Sequence, residues 1–374
     1  MGMARRIERS AKRTVIRALT ALIRTPKLPP ERLRTHPPSR ILVIRQHNQM
    51  GDMLLAVPAF RAVKESFPGA EVGVVTSTLN RDVLRNNPAI DHLFCYDKKH
   101  PFSHLALVRA IRALRFDLVI VLHTVSFSMT SVILALLSGA AVRAGSTSRP
   151  FGHSLSGALF HIELPLPGPD ELETMNETEH NLYPLAALGV RTGNLAPQLF
   201  SSDAERAWAD GFMRPERKSG RLPIAVHPGA GKRENVWPPE RFAAVVNRIG
   251  DTRPVTAIVI EGPRDAEYAA RFRRACRVQN RALERRTIGE VAAVLPAAAV
   301  VLCNDTGVMH AACAAGATVV AVFGPTEPGR WTPKCDNLHT VRAPDGELER
   351  LAPDRVAAVV AEVLGLELGT QPDA

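Results

Sequence analysis

Short runs of β-branched and aliphatic residues alternate with helical segments along nearly the whole chain, and the alternation starts twice. The first series opens with "RILVIRQHNQMGDMLLAVPAFRAVKESFPGAEVGVVT". An apolar run over 41–45 gives way to a polar loop over 46–50. A helical pattern over 51–66 is stopped by Phe67-Pro68-Gly69, and a second apolar run follows over 71–76. That is a βαβ unit. Helices are predicted near 78–86, 103–114 and 127–138, with strands near 92–96, 117–122 and 141–145. Strands alternating with helices build a parallel sheet covered on both faces. A long Ser-, Gly- and Pro-rich loop over 146–175 breaks the rhythm. Helices over 177–188 and 203–213 then lead to an inter-domain linker at 215–222. The second series has strands over 223–227, 255–261, 299–303 and 318–323. Its helices are predicted over 238–249, 265–276, 288–295, 307–315 and 353–364. The expectation is two doubly wound domains, 40–214 and 215–374, with a cleft between them.

A chain of 374 residues is too long for one ordinary core, which agrees with two domains. The five cysteines, Cys95, Cys276, Cys303, Cys313 and Cys335, form no CxxC pair and mostly sit in apolar runs. Free thiols in a reducing compartment, hence a cytoplasmic protein, are expected. No apolar run reaches the roughly 20 residues that cross a bilayer. The formal net charge of +10 is concentrated at one end: residues 1–40 hold eleven basic side chains against two acidic ones. Nucleic-acid binding is therefore not indicated. The basic residues interleave with Ile7, Ala11, Val15, Leu19, Leu22 and Ile23 at helical spacing, up to the prolines of a linker over 26–39. Residues 4–24 read as a basic amphipathic helix. It would either lie on an anionic membrane surface or dock on the protein itself.

In open α/β sheets ligands sit at the carboxyl ends of strands. After the first strand stand Gly51 and Asp52. Gly51 allows close backbone approach. Asp52 is either a helix-start carboxylate or a general base. After the first strand of the second series comes His227-Pro228-Gly229-Ala230-Gly231-Lys232-Arg233-Glu234-Asn235-Val236-Trp237-Pro238. Gly229, Lys232 and Arg233 suit a loop around a diphosphate, or an exposed turn. Asp265 follows another strand end, where it would hold a sugar hydroxyl pair or stabilise a helix start. In "CNDTGVMHAACAAGATVVAVFGP", Asp305-Thr306-Gly307 opens a helix whose free N–H groups favour an anion, and His310 lies one turn in. The same residues can serve as a helix cap. No Walker loop and no G-x-G-x-x-G follows any strand, which disfavours a dinucleotide oxidoreductase. The chain holds no Asp-x-Asp, so neither a metal nor another cofactor is indicated.

Taken together, these segments resemble glycosyltransferase family 9, the lipopolysaccharide heptosyltransferase family. The first strand with Met-Gly-Asp looks like its N-terminal signature. "TEHNLYPLAALGV" is similar to its helix before the linker. "HPGAGKRENVWPPERFAAV" and the Asn-Asp-Thr-Gly-x-x-His segment are similar to its two donor-side signatures, in the family's order and spacing. The resemblance spans 41–335. It implies a GT-B fold with the acceptor on the N-terminal domain and the nucleotide-sugar on the C-terminal one. It implies metal-independent, inverting transfer from a nucleotide-activated sugar, typically ADP-heptose, to a lipid-linked lipopolysaccharide core glycan at the inner leaflet. Asp52 matches the family's proposed general base. Asp305, Thr306, Gly307 and His310 match donor-binding positions, and Asp265 matches an acidic residue near the donor. One departure stands out: Asn235 occupies a position where the family often carries Lys, leaving Lys232 or Arg233 to supply the charge. A non-catalytic nucleotide-sugar or glycan binding module and a sugar-nucleotide epimerase are the competing readings.

Overall fold

The computed structural model describes residues 14, 23, 25–46, 49–100, 102–122, 128–146 and 156–368. The chain divides into two compact units, Met1–Leu195 and Ala196–Ala374. Each is built on a six-stranded sheet with every neighbouring pair parallel.

The first unit contains β1 (Arg40–Ile44), β2 (Glu71–Ser77), β3 (His92–Tyr96), β4 (Leu118–Val121), β5 (Val142–Ser146) and β6 (Ile162–Leu164), in the order β3-β2-β1-β4-β5-β6. The central strand β1 sets Leu42 against Gly73 of β2 and Val119 of β4. Ile41 to Ile44 are all fully buried, because helices cover both faces. That is why the sequence here is continuously apolar rather than alternating. The second unit repeats the plan with β7 (Leu222–His227), β8 (Val255–Glu261), β9 (Gln279–Glu284), β10 (Val300–Asn304), β11 (Val319–Phe323) and β12 (Leu338–Arg342), in the order β12-β11-β10-β7-β8-β9. In both sheets the chain runs outward to one edge, returns to the middle, and continues on the other side. The reversal lies between β1 and β4 in the first unit and between β7 and β10 in the second. The connections leaving the paired strands there run to opposite sides, which is where folds of this kind form a ligand crevice.

Several elements differ from the sequence reading. The helix expected over 51–66 is two helices, Met50–Leu54 and Val57–Ser66. Pro58 has no N–H to give to a preceding turn, so it stands in the first turn of a new helix instead. Strands β6, β9 and β12 were not anticipated. The division between the units falls after Leu195, not at 214/215. The stretch read as a linker over 215–222 holds most of the helix Arg214–Ser219 and the start of β7. Pro215 opens that helix, and Gly220 closes it with φ 65°. The preceding segment is tied to the second sheet. Ser201 Oγ donates to Gly289 O at 2.9 Å, and Arg281 Nη1 reaches Phe212 O at 3.1 Å and Glu216 Oε1 at 2.6 Å.

The amphipathic helix expected over 4–24 lies outside the described residues, apart from Thr14 and Ile23. The Pro-rich segment after it is not a free linker. Leu28 N donates to His161 O at 2.9 Å, Lys27 Nζ to Gly157 O at 2.7 Å, and Leu33 is buried. No helix among the described residues is long and apolar enough to cross a membrane.

Candidate functional site

In the first unit the crevice residues follow β1. Arg45 continues the strand, its N–H bonded to Val75 O at 2.9 Å. His47 and Asn48 lie outside the described residues. Gly51 and Asp52 sit in the first turn of the helix Met50–Leu54, and Asp52 is only 8% exposed. Arg45 is buried as well, and its guanidinium lies 3.7 Å from Glu177 Oε1. Burial lowers the Arg45 pKa, while the charges of Glu177 and Asp52 oppose that shift. Glu177 stands in the first turn of the helix Glu177–Ala186, where a negative charge is favoured. Its other oxygen meets His180 Nδ1 at 3.1 Å. Asp52 is thus a carboxylate at the end of a buried charged cluster, on the side of the sheet where a ligand is expected. Neither Arg45 nor Glu177 was singled out from sequence. A lone Arg at the end of an apolar run and a Glu at a helix start are too common to mark a site.

In the second unit the crevice lies between the ends of β7 and β10. Asn304, fully buried, fastens the two. Its Oδ1 accepts from Trp237 N at 2.9 Å, and its Nδ2 donates to Pro228 O at 3.2 Å and Gly229 O at 3.1 Å. The 227–237 loop is therefore held at both ends by one amide. Trp237 anchors the far end, buried edge-on to Phe242 with ring centroids 4.8 Å apart and Nε1 donating to Leu351 O at 3.2 Å.

Thr306 caps the helix Gly307–Ala314: its backbone is extended and its Oγ1 accepts from Val308 N at 3.2 Å. The amides that open this helix head into the crevice between β7 and β10. His310 is buried one turn in. Asp305 accepts from Asn235 Nδ2 at 3.4 Å and is bonded by Thr326 at the end of the β11 turn. Burial raises the Asp305 pKa, against the Thr326 hydrogen bond and the Lys232 charge. Asn235 is thus occupied with Asp305. Lys232 is largely exposed, with Glu234 Oε1 at 4.0 Å, and Arg233 is exposed beside it in a short 3₁₀ turn.

Asp265 does not cap its helix. Its Oδ2 accepts from Gly262 N at 2.9 Å and meets His227 Nε2 at 3.0 Å. A Cβ on Gly229 would lie 2.4 Å from Asp265 Oδ1, and one on Gly262 would lie 2.7 Å from Oδ2. Both glycines are therefore required by the carboxylate packed between them. Burial works against ionisation of Asp265, but His227, the Gly262 N–H and Arg264 together hold its carboxyl below the usual range. The sequence reading missed Asn304, Thr326 and the role of His227. The only hint was that polar residues terminate otherwise apolar strands. Among the described residues no group of three or more His, Cys, Asp and Glu side chains is arranged to hold a metal ion.

Two doubly wound units, one with a capped helix N-terminus at its strand-order reversal, define an α/β protein of the GT-B type. A solved glycosyltransferase family 9 structure from Veillonella parvula DSM 2008 shares the fold, with TM-score 0.77 and 21% identity over 87% of this chain and 97% of that one. The structure of Escherichia coli heptosyltransferase WaaC with ADP does so with TM-score 0.66 and 20% identity, over 86% and 97%. Residues 104–356, more than half of the chain, match the model of glycosyltransferase family 9 (heptosyltransferase), and the chain belongs to that family. It is 24% identical to lipopolysaccharide heptosyltransferase 3 of Escherichia coli over 307 residues, 77% of this chain and 84% of that relative. The family match contains every candidate of the second unit, whereas Gly51 and Asp52 lie ahead of it.

Proposed function

We propose that the protein transfers a heptose from ADP-heptose to a lipid-linked lipopolysaccharide core glycan, with inversion at the anomeric carbon and Asp52 as general base. The observation that carries this reading is the N-terminus of the helix Gly307–Ala314, placed by Asn304 and capped by Thr306 beside a Gly- and Lys-bearing loop. Such an arrangement suits a diphosphate. The choice of ADP and of heptose is supported by the ADP-bound relative and by the name of the curated one. The first unit would bind the acceptor, and the second the donor.

In this mechanism the acceptor hydroxyl attacks the anomeric carbon from the face opposite the diphosphate, and Asp52 takes its proton. Asp52 is shielded from water, in the field of the buried Arg45. Negative charge grows on the departing ADP as the glycosidic bond breaks. The amides of Gly307 and its neighbours, the His310 ring and Lys232 meet that charge without reorganising, which is where electrostatic stabilisation is most effective. All the charge compensation in this scheme comes from the chain. Activity is expected to survive exhaustive treatment with EDTA, and loss of turnover restored by added magnesium would overturn the scheme.

The direct test combines turnover with calorimetry. Asp52→Asn is expected to lower transfer from ADP-heptose to a core acceptor by roughly 10²–10⁴-fold, the usual contribution of a general base. ADP affinity should stay within a few-fold of the parent. Parent-like turnover in the variant would remove the base assignment. Product formed without any acceptor would point to an epimerase.

A further inference from the structure

His227 ends β7 with both ring nitrogens engaged. Nε2 lies 3.0 Å from Asp265 Oδ2, and Nδ1 lies 3.4 Å from Thr306 Oγ1. Both partners are fixed. Asp265 is packed between Gly229 and Gly262 and bonded to the Gly262 N–H. Thr306 is the helix cap, its oxygen already accepting the Val308 N–H. The ring itself is buried.

Counting hydrogens along this row gives a consequence. An ionised carboxylate only accepts, so Nε2 must carry hydrogen. While the ring is neutral, Nδ1 is an acceptor and the Thr306 hydroxyl hydrogen must turn toward it. That hydroxyl is then unavailable to an anion at the helix N-terminus. A phosphate oxygen arriving there competes for the same hydrogen. If Thr306 donates to the phosphate, Nδ1 faces an oxygen lone pair, and two acceptors oppose each other in a buried place. A proton on Nδ1 removes the conflict: the ring then donates on both sides, to Asp265 and to Thr306. It also places a positive charge beside the helix N-terminus.

We propose that diphosphate binding at the N-terminus of the helix Gly307–Ala314 is coupled to uptake of one proton at His227 Nδ1, with Asp265 as the positioning residue that holds the ring for it. This rests on the reading of the second unit as the donor site. Histidine is the side chain suited to change charge near neutral pH. From the β8 side Asp265 meets the ring, with Arg264 acting on that carboxylate, and Lys232 of its own loop acts on Asp305. From the β10 side come Asp305 and Cys303, which pairs with His227 in register. Burial keeps the Cys303 thiol protonated. Asp305, whose carboxyl is pushed toward the neutral form, and His310, buried one turn into the helix, are the alternative proton acceptors.

The test is calorimetric titration of the full-length protein with ADP, between about pH 6 and pH 8, in buffers of different ionisation enthalpy. The parent is expected to take up about one proton per ADP, with affinity falling by up to ~10-fold per pH unit where uptake is complete. His227→Gln is expected to abolish uptake and flatten the pH dependence, while retaining ADP binding at the alkaline end within about threefold of the parent. Asp265→Asn should reduce uptake in the same direction. Nitrogen-15 spectra of the parent's histidine rings supply a readout that needs no variant. One ring should pass from a neutral to a doubly protonated signature when ADP is added at constant pH. ADP binding without proton uptake, or uptake unchanged in His227→Gln, would overturn the coupling and leave the donor site standing. No ADP binding at all would overturn both.

Discussion

Two carboxylates of the second unit, one after β8 and one after β10 on either side of β7, are pushed in opposite directions. Burial raises the Asp305 pKa, whereas His227 and the Gly262 N–H outweigh burial and lower that of Asp265. The signs set the pH dependence. Asp265 contributes stability that is complete above the ordinary carboxylate pKa of about 3.9 and is lost as pH falls through its lowered folded value. For Asp305 the folded state holds the proton more tightly than the unfolded chain. Stability therefore falls as pH rises from about 3.9 through its raised value and stays reduced above it. Asp305→Asn is accordingly expected to raise the thermal midpoint by a few degrees at neutral pH while lowering transfer at least tenfold. Below about pH 4 the gain should vanish. Scanning calorimetry at several pH values checks this, and a variant less stable than the parent at neutral pH would contradict it. The helix start at Asp305, Thr306 and Gly307, with His310 one turn in, was legible because a polar turn interrupts an apolar strand and opens a helix. Asn304 was not, since an amide that fastens one loop to one strand looks like any strand-end Asn until both partners are in place.

The central strands that sequence located are uniformly buried. Central strands such as β1 and β10 are enclosed by helices and read as unbroken apolar runs. The strands missed, β6, β9 and β12, are edges of their sheets, where exposed positions break the apolar signal. The "QNRALE" of β9 resembles a polar loop because its arginine is used in tertiary packing. Arg281 stacks over the Phe212 ring at 4.4 Å and pairs with the buried Glu216 at 2.6 Å. That pair joins the edge strand to the helix Arg214–Ser219, which is why the segment belongs to the second unit. Glu216→Ala is expected to cost about 2 kcal/mol, less than a fully buried pair because Arg281 retains access to water. The readout is a lower urea midpoint at unchanged slope. A midpoint within error of the parent would mean that the pair does not fasten this helix.

At the scale of the whole molecule, the basic balance has one location. Residues 1–24 carry seven basic side chains against one acidic, whereas the full chain carries 47 against 37. The spacing of Ile7, Ala11, Val15, Leu19 and Ile23 in the sequence is that which would set an apolar stripe along a helix. The fold fixes the chain on the first unit from Thr25 onward, where sequence read a linker over 26–39. Thr25 Oγ1 accepts from Arg143 Nη2 at 3.1 Å, and Lys27, Leu28 and Leu33 are fixed on the first unit. Removing residues 1–24 should therefore leave both units folded, whereas cutting into 25–35 would disturb the first unit itself. Each basic residue near an anionic bilayer contributes about 1 kcal/mol, and an apolar stripe adds to it. If the acceptor is anchored in a membrane, the arm would raise the local concentration of enzyme without touching the chemistry. The expectation is that the parent floats with vesicles containing phosphatidylglycerol and is released by high salt. The protein lacking 1–24 should stay in solution, bind ADP with parent affinity, and lose activity only on acceptor presented in vesicles. Equal flotation of the two proteins would show that the arm serves the chain's own surface, not a membrane.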